Sequence, residues 1–420
     1  MSASMLDLDA ARRQSLEALI EAWLTRRGAG GDGPLEVVEV EMLAPGRPGL
    51  LDVVARAQGR MAHLVVGLHE PGGEVRMLGG AEDGLLGAYT DEGGAAVAVD
   101  ALFDADLAPL VVTAIVGEPV AVVSVAADDE RATVLDAEDR LSFSVFPWLT
   151  EGPHPGIDML VSLDEAGFNH LAAPVALWRR RGRDLGVVQE LLTEAADGWA
   201  VARTSLRDLY GARVAPEVAG GDFADEARSL GTMAARLHLG AERAFGRRSG
   251  AVADWARGAE AAVDRLAPSL GRSVAFRRAV AALAPREDRA PMVRTHGDLH
   301  LGRTARANQG WVVADWLPGG VDADGDPRYR SPLWDVGTML WSFGHVATAA
   351  LEERDQALRP GLESSAEAWV ARNRRAFLAG YLATPGIAEL LPAERELVEP
   401  LIEALELEVA AGKAEGPPGR

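Results

Sequence analysis

The chain has 420 residues, 48% of them hydrophobic and 25% charged, an ordinary globular composition with room for two or three domains. A formal charge of −21 argues against nucleic acid or an anionic membrane as a partner, since both are gripped by basic stripes. Cysteine is absent, which removes disulfides, thiolate metal sites and a cysteine nucleophile.

The first residues are polar and acidic, without a basic patch followed by an apolar run, so no secretory leader is read and a cytoplasmic location is expected. Leu16, Leu19, Ile20, Trp23 and Leu24 fall on one face at helical spacing and predict an amphipathic helix over residues 6–27. From 35 to about 70, apolar runs alternate with Pro/Gly turns and predict a small antiparallel sheet, closed by a helix over about 100–116. Residues 107–127 are nearly uncharged, but Gly117-Glu118-Pro119 interrupts them, so a helix, a turn and a strand are expected rather than a membrane span.

Strands are then expected over 120–126, 141–146, 176–178 and 185–192, with a helix over 157–166 and a solvated basic turn at Arg179–Arg183. Beyond Gly198 the pattern turns helical, over 223–239, 251–266, 274–283, 333–349, 363–382 and 393–410. The fold class is therefore α+β, a protein-kinase-like two-lobed architecture with an N-terminal cap and a mostly helical C-terminal lobe. The cleft between the lobes would take the nucleotide. The expected division is 1–127 for the cap and first sheet, 128–196 for the rest of the N-lobe and hinge, 197–411 for the helical lobe, and 412–420 for a disordered tail.

Chemistry concentrates in Arg294-Thr295-His296-Gly297-Asp298-Leu299-His300-Leu301-Gly302-Arg303, followed by Trp311-Val312-Val313-Ala314-Asp315-Trp316. A loop aspartate and a second aspartate at the end of the next short strand suit a phosphotransferase of the kinase type. One accepts the proton of the attacking hydroxyl, and the other holds the magnesium that bridges the nucleotide phosphates. Asp298 fits the first role and Asp315 the second. The residue five after the catalytic Asp should be a metal-binding amide, but here it is Arg303, which has donors and no acceptor. The sole lysine is Lys413, near the C-terminus, so no strand lysine is present to hold the nucleotide phosphates.

These segments, with Gly152-Pro153-His154-Pro155, Val187-Val188-Gln189-Glu190, Asp197-Gly198-Trp199, Pro332-Leu333-Trp334-Asp335-Val336 and Ala371-Arg372-Asn373-Arg374, resemble the actinobacterial maltokinases and their glucosamine-kinase relatives, a capped branch of the aminoglycoside-phosphotransferase-like kinases. The resemblance implies ATP- and Mg2+-dependent phosphorylation of a sugar or aminosugar hydroxyl. It implies Asp298 as base, Asp315 as metal ligand and Gln189, Glu190 and Leu191 as the adenine-binding hinge. It also implies a possible trehalose synthase-like enzyme as partner.

Departures from the family pattern are several. Ser144 stands for the strand lysine, Asp158 for its helix glutamate and Arg303 for the metal amide; Asp128-Asp129-Glu130-Arg131-Ala132-Thr133 replaces a polar phosphate loop; Trp316 and Leu317 replace an aromatic and a carboxylate; and a sugar-closing segment beyond the last helix is missing. Two functions stay open: a sugar kinase with weakened activity, or a pseudokinase acting as a binding partner in α-glucan or trehalose metabolism, the depleted site leaning to the latter.

For single residues the alternatives are structural. Asp298 and Asp315 could be turn caps, His296 and His300 a metal-hydrolase pair or His296 a buried, loop-shaping histidine, and Asp335 a loop anchor or an N-cap. Trp334, Trp341 and Trp369 read as core. Arg303 could lock the aspartates without metal, or neutralise a phosphate as an arginine finger does.

Overall fold

Apolar alternation and Pro/Gly turns in the first third of the chain become paired strands in the computed structural model of the protein. It describes every residue except 1–3, 7–8, 32, 79–83, 213–214, 219–221, 267–272, 317–327, 357 and 414–420. Two units emerge, one of residues 1–157 and 173–193, the other of residues 158–172 and 194–420.

In the first unit a seven-stranded antiparallel sheet runs in the order Ser4–Met5, Leu35–Ala44, Gly49–Ala57, Arg60–His69, Gly94–Asp100, Leu85–Asp91, with Trp148–Leu149 paired to Arg60–His69. Helix α1 (Ala10–Arg26) buries Leu16, Leu19, Ile20, Trp23 and Leu24 against it, the face read from the sequence. The hairpin Leu85–Asp91 and Gly94–Asp100 was not expected, because its strands are rich in Ala and Gly, weak strand formers.

The helix expected over 100–116 is instead a 3-10 turn, Ala101–Phe103, and α2 (Ala108–Val116). Buried Asp104 separates them by accepting the N–H groups of Asp106 and Leu107, each at 2.9 Å, in a local turn that competes with helix.

A five-stranded antiparallel sheet, in the order Pro174–Arg180, Arg183–Glu190, Leu141–Val145, Thr133–Ala137, Val123–Asp128, completes this unit. Its basic turn is not simply solvated. Arg180 pairs with Glu39 at 3.1 Å, Glu41 at 2.8 Å and Asp52 at 2.7 Å, and Arg183 reaches Glu39 at 3.0 Å. Glu39 and Asp52 are buried, so these arginines supply the counter-charge that makes their burial tolerable. The acidic Asp128–Thr133 turn is also tied down: Arg27 pairs with Asp128 at 2.8 Å, Thr133 Oγ1 donates to Asp128 at 2.6 Å, and Asp129 accepts the N–H groups of Arg131 and Ala132.

The chain then enters α3 (Pro155–Glu165) and, in the second unit, α4 (Gly198–Ala212), α5 (Ala224–Phe245), α6 (Val252–Leu266), α7 (Val274–Leu283), α8 (Leu333–Glu352), α9 (Glu363–Ala383) and α10 (Val398–Lys413). The sequence reading omitted α4. It ended α10 at 410, whereas Gly412 and Lys413 are helical; residues 414–420, the rest of the expected disordered tail, lie outside the described residues. Among the described residues no helix is long and apolar enough to cross a membrane.

An aromatic cluster fills this unit, with Phe223 5.6 Å from Trp369 and 6.2 Å from Trp311, and Phe343 5.9 Å from Phe377. Trp369 is core as read, whereas Trp334 and Trp341 are only half-buried.

Helices α5 and α9 touch backbone to backbone through two glycines. A Cβ on Gly231 would stand 2.0 Å from the Phe377 carbonyl oxygen, and one on Gly380 2.0 Å from that of Arg228. Gly344, inside α8, has open space around it. Gly231→Ala should therefore destabilise the protein by about 1–3 kcal/mol through overpacking, while Gly344→Ala should stabilise it by roughly 0.5–1 kcal/mol. Urea denaturation of both variants checks the opposite signs.

Candidate active site

Strand Arg289–Arg294 delivers a loop whose shape is imposed by the start of α8. Asp335, in the first turn of that helix and fully buried, accepts the backbone N–H of His296 at 2.9 Å and of Gly297 at 2.8 Å. His238 of α5 lies 3.1 Å from the same carboxylate, and its other ring nitrogen is 2.9 Å from the Tyr381 hydroxyl. Trp334 Nε1 donates to the Gly297 carbonyl at 2.9 Å, and Gly297 takes φ +85°, open to a residue without a Cβ. Asp335 is thus the loop anchor and not an N-cap; the N-cap of α8 is Pro332.

His296 is saturated by the backbone, with Nδ1 accepting from Asp298 N–H at 3.3 Å and Nε2 donating to the Asp315 carbonyl at 2.8 Å. A ring so occupied shapes the loop and has no nitrogen left for a metal. Among the described residues no three His, Asp or Glu side chains are grouped to hold a metal ion. The hairpin Thr304–Ala307 and Gly310–Val313 returns the chain to the loop, bringing Asp315 to it as the sequence spacing implied.

Arg303 spans the two aspartates. One guanidinium nitrogen is hydrogen-bonded to Asp315 Oδ2 and another lies 3.6 Å from Asp298 Oδ2. Lys413 of α10 donates to Asp298 Oδ1 at 2.5 Å, and His300 Nε2 lies 3.5 Å from Oδ2. Lys413 went unrecognised in the sequence because it was assigned to the tail. The available signal was the helical period of Leu401, Leu405 and Val409, which continues one turn further.

Burial alone would push the Asp298 carboxyl up, but the His300 hydrogen bond and the nearby Lys413 outweigh it and hold it far below the usual carboxylate range. The pair contributes stability above about pH 4 and loses it as the pH falls further. Burial lowers the His300 pKa, opposed by Asp298 and assisted by Lys413 and Arg303. Its Nδ1 accepts from Gly302 N–H at 3.1 Å, so a neutral ring carries its proton on Nε2, facing Asp298.

These residues do not fit a resident magnesium ion. Position 303 offers no acceptor, and Asp315 Oδ2 is bound by Arg303. Asp158, read as the partner of a strand lysine, is paired with Arg294. Ser144 lies in the middle of strand Leu141–Val145, its backbone paired with Val134 and Val187.

Gln189, Glu190 and Leu191 end strand Arg183–Glu190, in the first unit. Glu190 N–H bonds the Ala173 carbonyl and Leu191 N–H the Arg140 carbonyl, while the Leu191 carbonyl accepts from Thr193. An adenine reading this backbone would have to exchange one of those bonds. Leu317 lies outside the described residues.

The fold is that of a kinase-type phosphotransferase with a helical C-terminal lobe. The chain superposes on a glucosamine kinase in complex with glucosamine, ADP and inorganic phosphate, with TM-score 0.65 and 21% identity over 97% of this chain and 96% of that one. A second crystal form of glucosamine kinase gives TM-score 0.62 at 21% identity, over 97% of this chain and 95% of that one. In sequence, the chain is 31% identical over 234 residues to the glucosamine kinase of Mycolicibacterium smegmatis, a stretch that is 51% of this chain and 57% of that relative. The chain therefore spans little more than half the length of this curated relative. No protein-family profile matches it.

Two measurements test the site. Asp335→Ala leaves buried donors without an acceptor and should destabilise the protein by about 3 kcal/mol or more, with selective loss of hydrogen-exchange protection at the His296 and Gly297 amides. In an NMR titration His300 should ionise below the ordinary value of about 6.5, and Lys413→Ala should move it up.

Proposed function

We propose that the protein is a sugar-kinase homologue that binds a nucleotide and an aminosugar, with phosphoryl transfer weakened or lost because Arg303 has replaced the metal. The observation that carries this reading is the guanidinium bridging Asp298 and Asp315. An arginine can neutralise phosphate charge, but it cannot give a hard cation an oxygen ligand. Asp298, held far below the usual carboxylate range, is a weak proton acceptor, which further slows transfer from a sugar hydroxyl. An aminosugar is favoured over maltose because the relatives found by sequence and by structure are glucosamine kinases. ATP is the proposed nucleotide, in keeping with the ADP-bound relative.

The pseudokinase reading is favoured by one further observation: Lys413 donates to Asp298 Oδ1, so one oxygen of the proposed base is already engaged within the chain. A trehalose synthase-like partner rests on the maltokinase resemblance alone, and the proposal does not include it.

The test is turnover of ATP with glucosamine. Wild type should run well below the roughly 1–100 s⁻¹ of ordinary kinases and respond little to magnesium. Arg303→Gln, which restores an amide, should raise the rate at least about tenfold and make it magnesium-dependent. Wild-type turnover in the ordinary range with full magnesium dependence would overturn the reading.

A further inference from the structure

One cavity of the helical unit gathers positive charge on a strongly acidic chain. It lies between α4 and the end of α8, measures about 370 Å³, opens to solvent, and is lined by Arg203 and Arg207 of α4 with Glu353 and Arg354. Their spacing puts the two α4 arginines on one helix face, about a turn apart. The end of α8 is held in place by Arg359, which donates to the Glu352 carbonyl at 2.6 Å and to the Arg354 carbonyl at 3.0 Å. Three guanidinium groups thus share the lining with one carboxylate. Glu353 is taken up by Arg203 at 2.8 Å. Arg207 has Asp208 at 3.6 Å, but both side chains are exposed, and such a pair is worth little in water. Arg354 is half-buried beside the Tyr210 ring, 5.6 Å from its centroid, with Nε covered and unpartnered. Among the described residues its side chain makes no hydrogen bond or ion pair. The lining therefore carries a surplus of two positive charges whose mutual repulsion an anion would relieve, although the chain as a whole is at −21.

We propose that this cavity binds a small phosphate monoester, its phosphate gripped by Arg354 and the two α4 arginines. Such a group carries about −1.5 to −2 at neutral pH, which matches the surplus, and its oxygens suit the planar fork of a guanidinium. A cavity of this volume falls in the range that holds small organic ligands, so the ester's organic part is seated with its phosphate. The site is separate from the Asp298 loop. Asp335, which anchors that loop, stands in the first turn of α8, and Arg354 follows the last, roughly 25 Å further along the helix axis. The proposal therefore does not rest on the sugar-kinase reading. A phosphate held by arginines of both elements ties α4 to the end of α8, so its binding stabilises the folded chain.

The test is calorimetric titration of the full chain with glucose 6-phosphate, glycerol 3-phosphate, inorganic phosphate and sulfate. At least one ester should bind about tenfold or more tightly than either inorganic ion, raise the melting temperature and weaken with added salt. Arg354→Gln should weaken that ester about tenfold or more, and Arg207→Gln about threefold or more, while Arg303→Gln leaves it unchanged. Inorganic phosphate or sulfate binding as tightly as both esters overturns the proposal in favour of an ion only. Failure of both esters to bind overturns it, as does an affinity unchanged in Arg354→Gln. If Arg354→Gln does not fold, unchanged affinity in Arg207→Gln, whose side chain is exposed, overturns it equally. Binding lost in Arg303→Gln and kept in Arg354→Gln moves the ester to the Asp298 loop, which overturns this site and leaves the kinase reading standing.

Discussion

The two hydrogen bonds from the His296 and Gly297 amides to the buried Asp335 carboxylate fix the loop on which Asp298 sits. A buried carboxylate and two buried amides left apart would each lose their hydration without replacement, so the bonds hold loop and helix in one arrangement. His238 and Tyr381 extend the chain of hydrogen bonds into α5 and α9, whose backbones meet at Gly231 and Gly380. Loop geometry is therefore set by the packing of three helices together with the loop's own His296.

Held in that geometry, the site solves its charge problem internally. A kinase normally gathers carboxylates whose charge bound metal ions then neutralise. Here Arg303 and Lys413 are paired with Asp315 and Asp298, so both carboxylates are neutralised within the chain. The same pairing recurs in the first unit, where Arg27 and Arg180 neutralise Asp128, Glu39 and Asp52. Removing one partner of such a pair would strand the other charge, which is where its cost to stability lies.

Much of this was legible in the residues. Helical period located α1 and most helices of the second unit, and the Asp298–Asp315 spacing located the hairpin, because periodicity and turn chemistry are local. Arg303 was visible as a donor-only residue where the motif calls for an amide, and the structure shows it paired with Asp315. The Ala-rich strands near residue 90 were missed because pairing partners, not propensity, make them strands. Lys413 was missed for another reason: it gains its meaning from Asp298, 115 positions away in the chain.

Lysine occurs once in this chain, and its amine rests against Asp298. Acylating and carbamylating reagents, which ordinarily scatter over a protein surface, have a single side-chain target here, and it adjoins the aspartate of the loop. Its modification removes the positive charge and frees one oxygen of Asp298 from its ion pair. Solutions of urea that contain cyanate would therefore alter this site through the chain's one lysine, and a reversible acyl group on position 413 would act on the same carboxylate.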